Sequence, residues 1–91
     1  MKKFEVSVII PAYNEEEYIG SCLQSLVGQK TKINFEVVLV DNNSTDDTKK
    51  IALSFKDKLN IRVITEKQQG RGIARWRGFE KAAGDFLFSS D

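Results

Sequence analysis

The sequence has 91 residues, 41% hydrophobic and 30% charged, with 14 Lys and Arg against 13 Asp and Glu. This is the make-up of one small globular domain with a thin stability margin, and a net charge of +1 argues against an electrostatic nucleic-acid binder. With no His and the single cysteine Cys22, the chain has no His general base, Ser-His-Asp triad, internal disulfide or zinc cluster, so any metal sits on oxygen ligands as magnesium, manganese or calcium do.

Residues 6–10 form a short, nearly continuous β-branched apolar run, the pattern of a strand buried on both faces. A first helix is expected to open at Asn14 as N-cap, with Glu17 three residues on as in a capping box. Its apolar stripe is Tyr18, Ile19, Cys22, Leu23, Leu26 and Val27, and Gly28 ends it. Residues 36–40 repeat the strand pattern. A second helix is expected near Ser44, with Asp46 and Asp47 complementing its dipole and Ile51, Ala52, Phe55 and Leu59 on its buried side. Residues 61–65 make a weaker third strand. The third helix is expected to run from just after Gly70 to Gly84. Along it Ala74, Gly78 and Ala82 recur every four residues, a small-residue stripe that lets a helix lie close to a sheet. A fourth strand covers 85–89. Strands alternating with helices imply a Rossmann-like three-layer α/β sandwich with a mostly parallel sheet.

No stretch is long and apolar enough to span a membrane, since the longest runs are residues 8–10 and 37–40 against roughly 20 needed. Lys2 and Lys3 precede an apolar patch, but Glu5, Pro11 and the acids at 15–17 break a signal-peptide pattern, so the expected compartment is the cytoplasm.

In such sheets ligands bind beyond the carboxyl ends of the strands, here residues 11–14, 41–44 and the terminus at Asp91. Neither a Gly-x-Gly-x-x-Gly fingerprint nor a Walker loop is present, and Gly70-Arg71-Gly72 alone is a weak signal. Tyr13 in a polar loop suits stacking on a nucleobase or packing on the first helix. Asp41-Asn42-Asn43-Ser44 reads either as a turn with a helix cap or as a group that hydrogen-bonds a base or ribose. A carboxylate at Asp91, just past a buried strand, is placed to hold a divalent cation. Arg71, Arg75 and Arg77 either neutralise a diphosphate or form a solvated face. Glu15, Glu16 and Glu17 read as first-turn helix residues, with Glu15 also close enough to the loop to face a ligand. Trp76 reads more readily as core packing than as a stacking surface.

Taken together, these segments resemble the inverting family 2 glycosyltransferases, nucleotide-sugar transferases of the GT-A fold, over nearly the whole chain. The carriers are Val6-Ser7-Val8-Ile9-Ile10-Pro11-Ala12-Tyr13-Asn14-Glu15-Glu16, then Val38-Leu39-Val40-Asp41-Asn42-Asn43-Ser44-Thr45-Asp46, then Gly70-Arg71-Gly72-Ile73-Ala74-Arg75 with Gly78 and Ala82-Ala83-Gly84-Asp85-Phe86-Leu87. The resemblance implies a UDP- or GDP-linked sugar as ligand. Pro11, Ala12, Tyr13 and Glu15 would contact base and ribose on one side, and Val40, Asp41 and Asn42 on the other. Arg71 or Arg75 would lie near the diphosphate, and Asp91 would match the first aspartate of the Asp-x-Asp motif that holds Mg2+ or Mn2+.

The chain departs from the family pattern at Asn42, where many members have a second aspartate, and at Trp76, where Asn is frequent. It stops before the second metal aspartate, the acceptor-binding half and the later catalytic carboxylate. Residues 1–91 therefore read as the donor-binding half of a glycosyltransferase truncated after the fourth strand. No catalytic residue is expected within it, the acceptor is unspecified, and an exposed sheet edge or apolar face could form a homodimer. The full-length protein could work at the cytosolic face of a membrane. The alternatives are a non-catalytic nucleotide-binding or regulatory fragment, and a flavodoxin-like domain using Asp41 as its acidic site.

Overall fold

A computed structural model describes residues 4–29 and 31–89. In chain order it contains β1 (Val6–Ala12), α1 (Ile19–Val27), β2 (Phe35–Asp41), α2 (Thr48–Leu53), β3 (Ile61–Thr65), α3 (Arg71–Lys81) and β4 (Phe86–Ser89). Among the described residues the strands form one parallel sheet in the order β3-β2-β1-β4. The order reverses between β1 and β4, the arrangement that opens a crevice beyond the strands' carboxyl ends.

The alternation of side chains in the two central strands divides the core. Ile10, Ala12, Val37 and Leu39 meet Ile19 and Leu23 of α1 and Ala52 of α2 on one face. Ile9, Val38 and Val40 meet Ala74 of α3 on the other, which completes the expected three layers. The small-residue stripe acts as the sequence implies. A Cβ at Gly78 would fall onto Cγ2 of Ile9 and stand 3.2 Å from Cγ2 of Val40. Trp76 departs from expectation, because it is 64% exposed and packs in neither core.

All three helices are shorter than the sequence suggests. α1 starts at Ile19 behind N-cap Tyr18, not at Asn14. Asn14 has φ 51°, and its Oδ1 accepts from the Thr45 N–H at 2.8 Å, so it is spent outside the helix. Glu15, Glu16 and Glu17 consequently precede α1 and do not form its first turn. α2 ends at Leu53, and Phe55 and Leu59 reach the core from the following turns. α3 stops at Lys81, three residues before Gly84, because the next backbone donors are captured by the sheet. The Ala83 N–H donates to Glu36 Oε2 at 2.7 Å and the Gly84 N–H to Ser7 Oγ at 2.8 Å. Gly84 itself has no room for a side chain, since a Cβ would stand 2.6 Å from the carbonyl carbon of Val6.

Glu36, 2% exposed, anchors that end of the sheet. A buried carboxylate is costly unless hydrogen-bonded and paired. Here Ser7 Oγ donates to Oε2 at 2.7 Å and Arg62 Nε stands 3.3 Å from Oε1. The same arginine also donates to the Lys81 carbonyl, tying the end of α3 to β3. Among the described residues no helix is long and apolar enough to cross a membrane.

Two stability predictions follow from these contacts. Gly to Ala in a helix normally stabilises by up to about 1 kcal/mol, but overpacking costs about 1–3 kcal/mol. Gly78→Ala is therefore expected to lower the urea midpoint, while Gly72→Ala, whose Cβ meets nothing within 4 Å, is expected to hold or raise it. Equal effects of the two would contradict the close approach of α3. Glu36→Gln sets an amide donor among donors and is expected to cost about 1–3 kcal/mol in the same assay. A neutral result would mean the network is not closed as described.

Candidate functional site

β1 and β2 end level with each other. Ala12 is paired with Asp41, and the ladder continues one step as the Asn42 N–H donates to the Ala12 carbonyl at 2.8 Å. Above this edge lies a cavity of about 340 Å³. The end of β1 contributes Pro11, Ala12, Tyr13 and Glu15 to its lining, and Asn42 supplies the β2 side. Gln69, Gly70 and Arg71, the approach to α3, close the far wall.

The cavity thus gathers most of the residues expected from sequence, with Tyr13 half exposed at 49%. Asp41 ends β2 at the same edge but does not line the cavity; it is 4% exposed, and its buried Oδ1 has no hydrogen-bond partner among the described residues. Val40, which the resemblance sets on the β2 side of the base, is not among the residues this cavity gathers. It is wholly buried against α3 and lines no part of this cavity. Arg75, one turn further along α3 than Arg71, does not line it either. Arg77 stands 3.9 Å from Glu66 and from Glu80 and does not line the cavity. Asp91, the expected metal ligand, lies outside the described residues. Among the described residues no three Asp, Glu or Cys side chains gather as a metal site. Sequence reasoning missed Gln69, whose only signal was a polar side chain directly before Gly70.

The sequence at 44–48 holds the two strand-end loops together. The Asn14 N–H donates to Ser44 Oγ at 2.9 Å and the Glu15 N–H to Thr48 Oγ1 at 2.8 Å. Asp46 accepts from the Glu16 N–H at 3.2 Å and from the Thr48 N–H at 3.0 Å. Asn14 and Asn43 make the turns possible, both at positive φ, which Asn tolerates better than most side chains. The other polar hub is Asn42. Its Nδ2 donates to the carbonyls of Glu66 at 3.0 Å and Gln68 at 2.7 Å, and its Oδ1 accepts from the Gly70 N–H at 3.0 Å. Gln69 Nε2 returns a bond to the Asn42 carbonyl at 3.0 Å.

Desolvation pushes the Asp46 carboxyl upward, but the Thr48 hydroxyl together with the Thr48 and Glu16 N–H groups outweighs it, and the pKa falls below its ordinary 3.8. A depressed carboxyl stabilises the fold above its unfolded value, and that contribution is lost as pH falls through the lower folded value. The carboxyl carbon of Asp46 is therefore expected to titrate in NMR below 3.8, with the Glu16 amide shifting in the same step. A midpoint at or above 3.8 would remove the clasp.

A parallel sheet of order 3-2-1-4 with a polar cavity at its carboxyl edge places this chain in the Rossmann-like GT-A class of α/β domains. The family model for glycosyl transferase family 2 matches residues 7–91, and the chain belongs to that family. Glycosyltransferase AglE of Haloferax volcanii is 46% identical over 86 residues, which are 90% of this chain and 28% of AglE. The poly(ribitol-phosphate) beta-N-acetylglucosaminyltransferase TarS of Staphylococcus aureus is 42% identical across the whole of this chain and 16% of its own length. The crystal structure of TarS 1–349 in complex with UDP-GlcNAc matches with a TM-score of 0.89 at 40% identity, covering 96% of this chain and 26% of that one. The mannosyltransferase PcManGT of Pyrobaculum calidifontis, in complex with GDP-Man and Mn2+, matches at 0.83 and 28% identity over 92% of this chain and 26% of its own. The chain spans under a third of each of these proteins.

Proposed function

We propose that residues 1–91 form the donor-binding part of an inverting glycosyltransferase and hold a UDP- or GDP-linked sugar for transfer to an acceptor. The observation that carries this is the cavity at the carboxyl edge, with an exposed aromatic on one wall and an arginine at a helix start on the other. It occurs in a fold that matches two sugar-nucleotide complexes. In this reading Tyr13 stacks on the base, with Pro11 and Ala12 lining the pocket beneath it and Glu15 facing the ribose. Asp41 has an acceptor that nothing among the described residues satisfies. It takes the ring N–H that uracil and guanine both carry and that cytosine lacks. Arg71 faces the diphosphate, where the N-terminus of α3 adds a favourable dipole. Asp91 belongs to the same reading as a ligand for Mg2+ or Mn2+, supported by the Mn2+ complex of PcManGT. Such a cation would offset charge on the departing nucleotide. No residue of the chain is assigned as the base that deprotonates the acceptor.

Stacking on an aromatic is worth about 1–3 kcal/mol per base, or roughly 5- to 150-fold in affinity. NMR titration of the chain with Mg2+ and UDP, GDP or CDP is expected to show UDP or GDP binding above CDP, and a loss of that order for Tyr13→Ala. Binding that ignores both the base and Tyr13 would refute the nucleotide site.

A further inference from the structure

Asn42 lies in the wall of the proposed nucleotide cavity, and at 4% exposure its carboxamide has little surface left to offer a ligand. Both of its chemical ends are already engaged. The amide nitrogen donates to the carbonyls of Glu66 and Gln68, and the oxygen accepts from the N–H of Gly70. A primary amide has two N–H donors, and both are used here. The three partners lie within five consecutive residues, and these lead directly into α3. Gly70 is the N-cap of that helix, with φ 143°, a conformation that L side chains rarely adopt. Its own carbonyl accepts from the Ala74 N–H at 3.0 Å and opens the helical ladder. The Gln69 side chain closes a second tie, to the backbone carbonyl of Asn42. The place where α3 starts, and with it Gly70 and Arg71 in the cavity, is thus tied to the end of β2, chiefly through the Asn42 side chain.

We infer that Asn42 is a positioning residue: it acts on the nucleotide through the Gly70–Arg71 wall and does not contact the base. This inference rests on the nucleotide reading of the cavity and assigns the β2 side of the site a different task from the one its sequence position suggests. Aspartate, nearly the same size and frequent at this position in the family, cannot make the two donor bonds that hold this chain's loop. A carboxylate keeps the acceptor for Gly70 but sets oxygen against the carbonyls of Glu66 and Gln68, and the wall is pushed out.

The test compares wild-type chain with Asn42→Asp in NMR titrations with UDP, uridine and inorganic pyrophosphate, each with Mg2+. Asn42→Asp is expected to weaken UDP and pyrophosphate by a similar factor, about tenfold or more, to leave uridine within about twofold, and to move the Gly70 and Arg71 amide signals before any ligand is added. Gly70→Ala, strained at that φ, displaces the same wall by a second route and is expected to give the same selective loss. Should Asn42→Asp not fold, Asn42→Ala is read with the same three probes. A loss for UDP and uridine with pyrophosphate unchanged would overturn the inference, because the side chain would then be reading the base. So would equal loss for all three probes, or no loss at all. Wild-type chain that binds none of the probes would overturn the nucleotide reading itself and this inference with it.

Discussion

The level pairing of β1 with β2 is the constraint on which the site depends. Parallel strands cannot be joined by a tight turn, so each must hand its chain to a helix crossover. Where Ala12 and Asp41 end in register, two loops leave the sheet side by side. That proximity lets Asn14 and Ser44, thirty residues apart in sequence, hydrogen-bond directly. A shift of one residue would turn Asp41 into the face now filled by Val40, and would carry an unpaired carboxylate into the α3 core. The apolar run of β2 fixes this register because nearly every one of its side chains is buried.

Loops at a ligand site have to be both irregular and fixed. Backbone outside regular structure loses its ladder partners and needs substitutes when it is not solvated. The chain provides these with short polar side chains in place of apolar packing. Ser44, Asp46 and Thr48 satisfy the N–H groups at 14–16, and Asn42 satisfies the carbonyls and N–H of 66–70. Ordering five backbone residues costs about 5–10 kcal/mol in conformational entropy. A net gain of about 1 kcal/mol per bond offsets part of that, and the strand ends on either side supply the remaining restraint.

The two central strands were legible in the sequence because their burial leaves a nearly continuous apolar run, β3 was weaker because it is less buried, and the three layers then followed from the alternation with helices. The helix boundaries were not. Asn14 with Glu17 has the composition of a capping box, but a cap is only one use of an Asn oxygen. Here Thr45 from the neighbouring loop competes for it and wins. Gly84 looked like a helix end, yet the helix ends earlier because Glu36 and Ser7, more than forty residues away, capture the backbone N–H groups that follow. Tyr13, Asp41 and Asn42 were found by their place at the strand ends, and a family pattern, which carries position but not orientation, added Pro11, Ala12 and Val40. It marked Val40 and Asn42 alike, although one side chain enters the core and the other braces a loop. Orientation depends on strand register and on long-range hydrogen bonds that no local window contains.

β2 carries two carboxylates, one near each end, and both are buried. Glu36 is met by a hydroxyl, a backbone N–H and a guanidinium, and it seals the amino end of the sheet. Asp41, five residues on, keeps an oxygen with no donor among the described residues. Desolvating an acceptor without a partner costs about 1–3 kcal/mol, so leaving one at 4% exposure is a standing penalty. The contrast cannot come from the strand, which is continuous, nor from burial, which is nearly equal. It comes from what surrounds each end. At the amino end the chain folds back to supply donors, while at the carboxyl end the loops are braced apart and leave a cavity. A sheet that satisfies one carboxylate completely and leaves the other wanting a donor among the described residues is polarised toward its carboxyl edge, and under the proposed nucleotide reading the base would bring the missing donor.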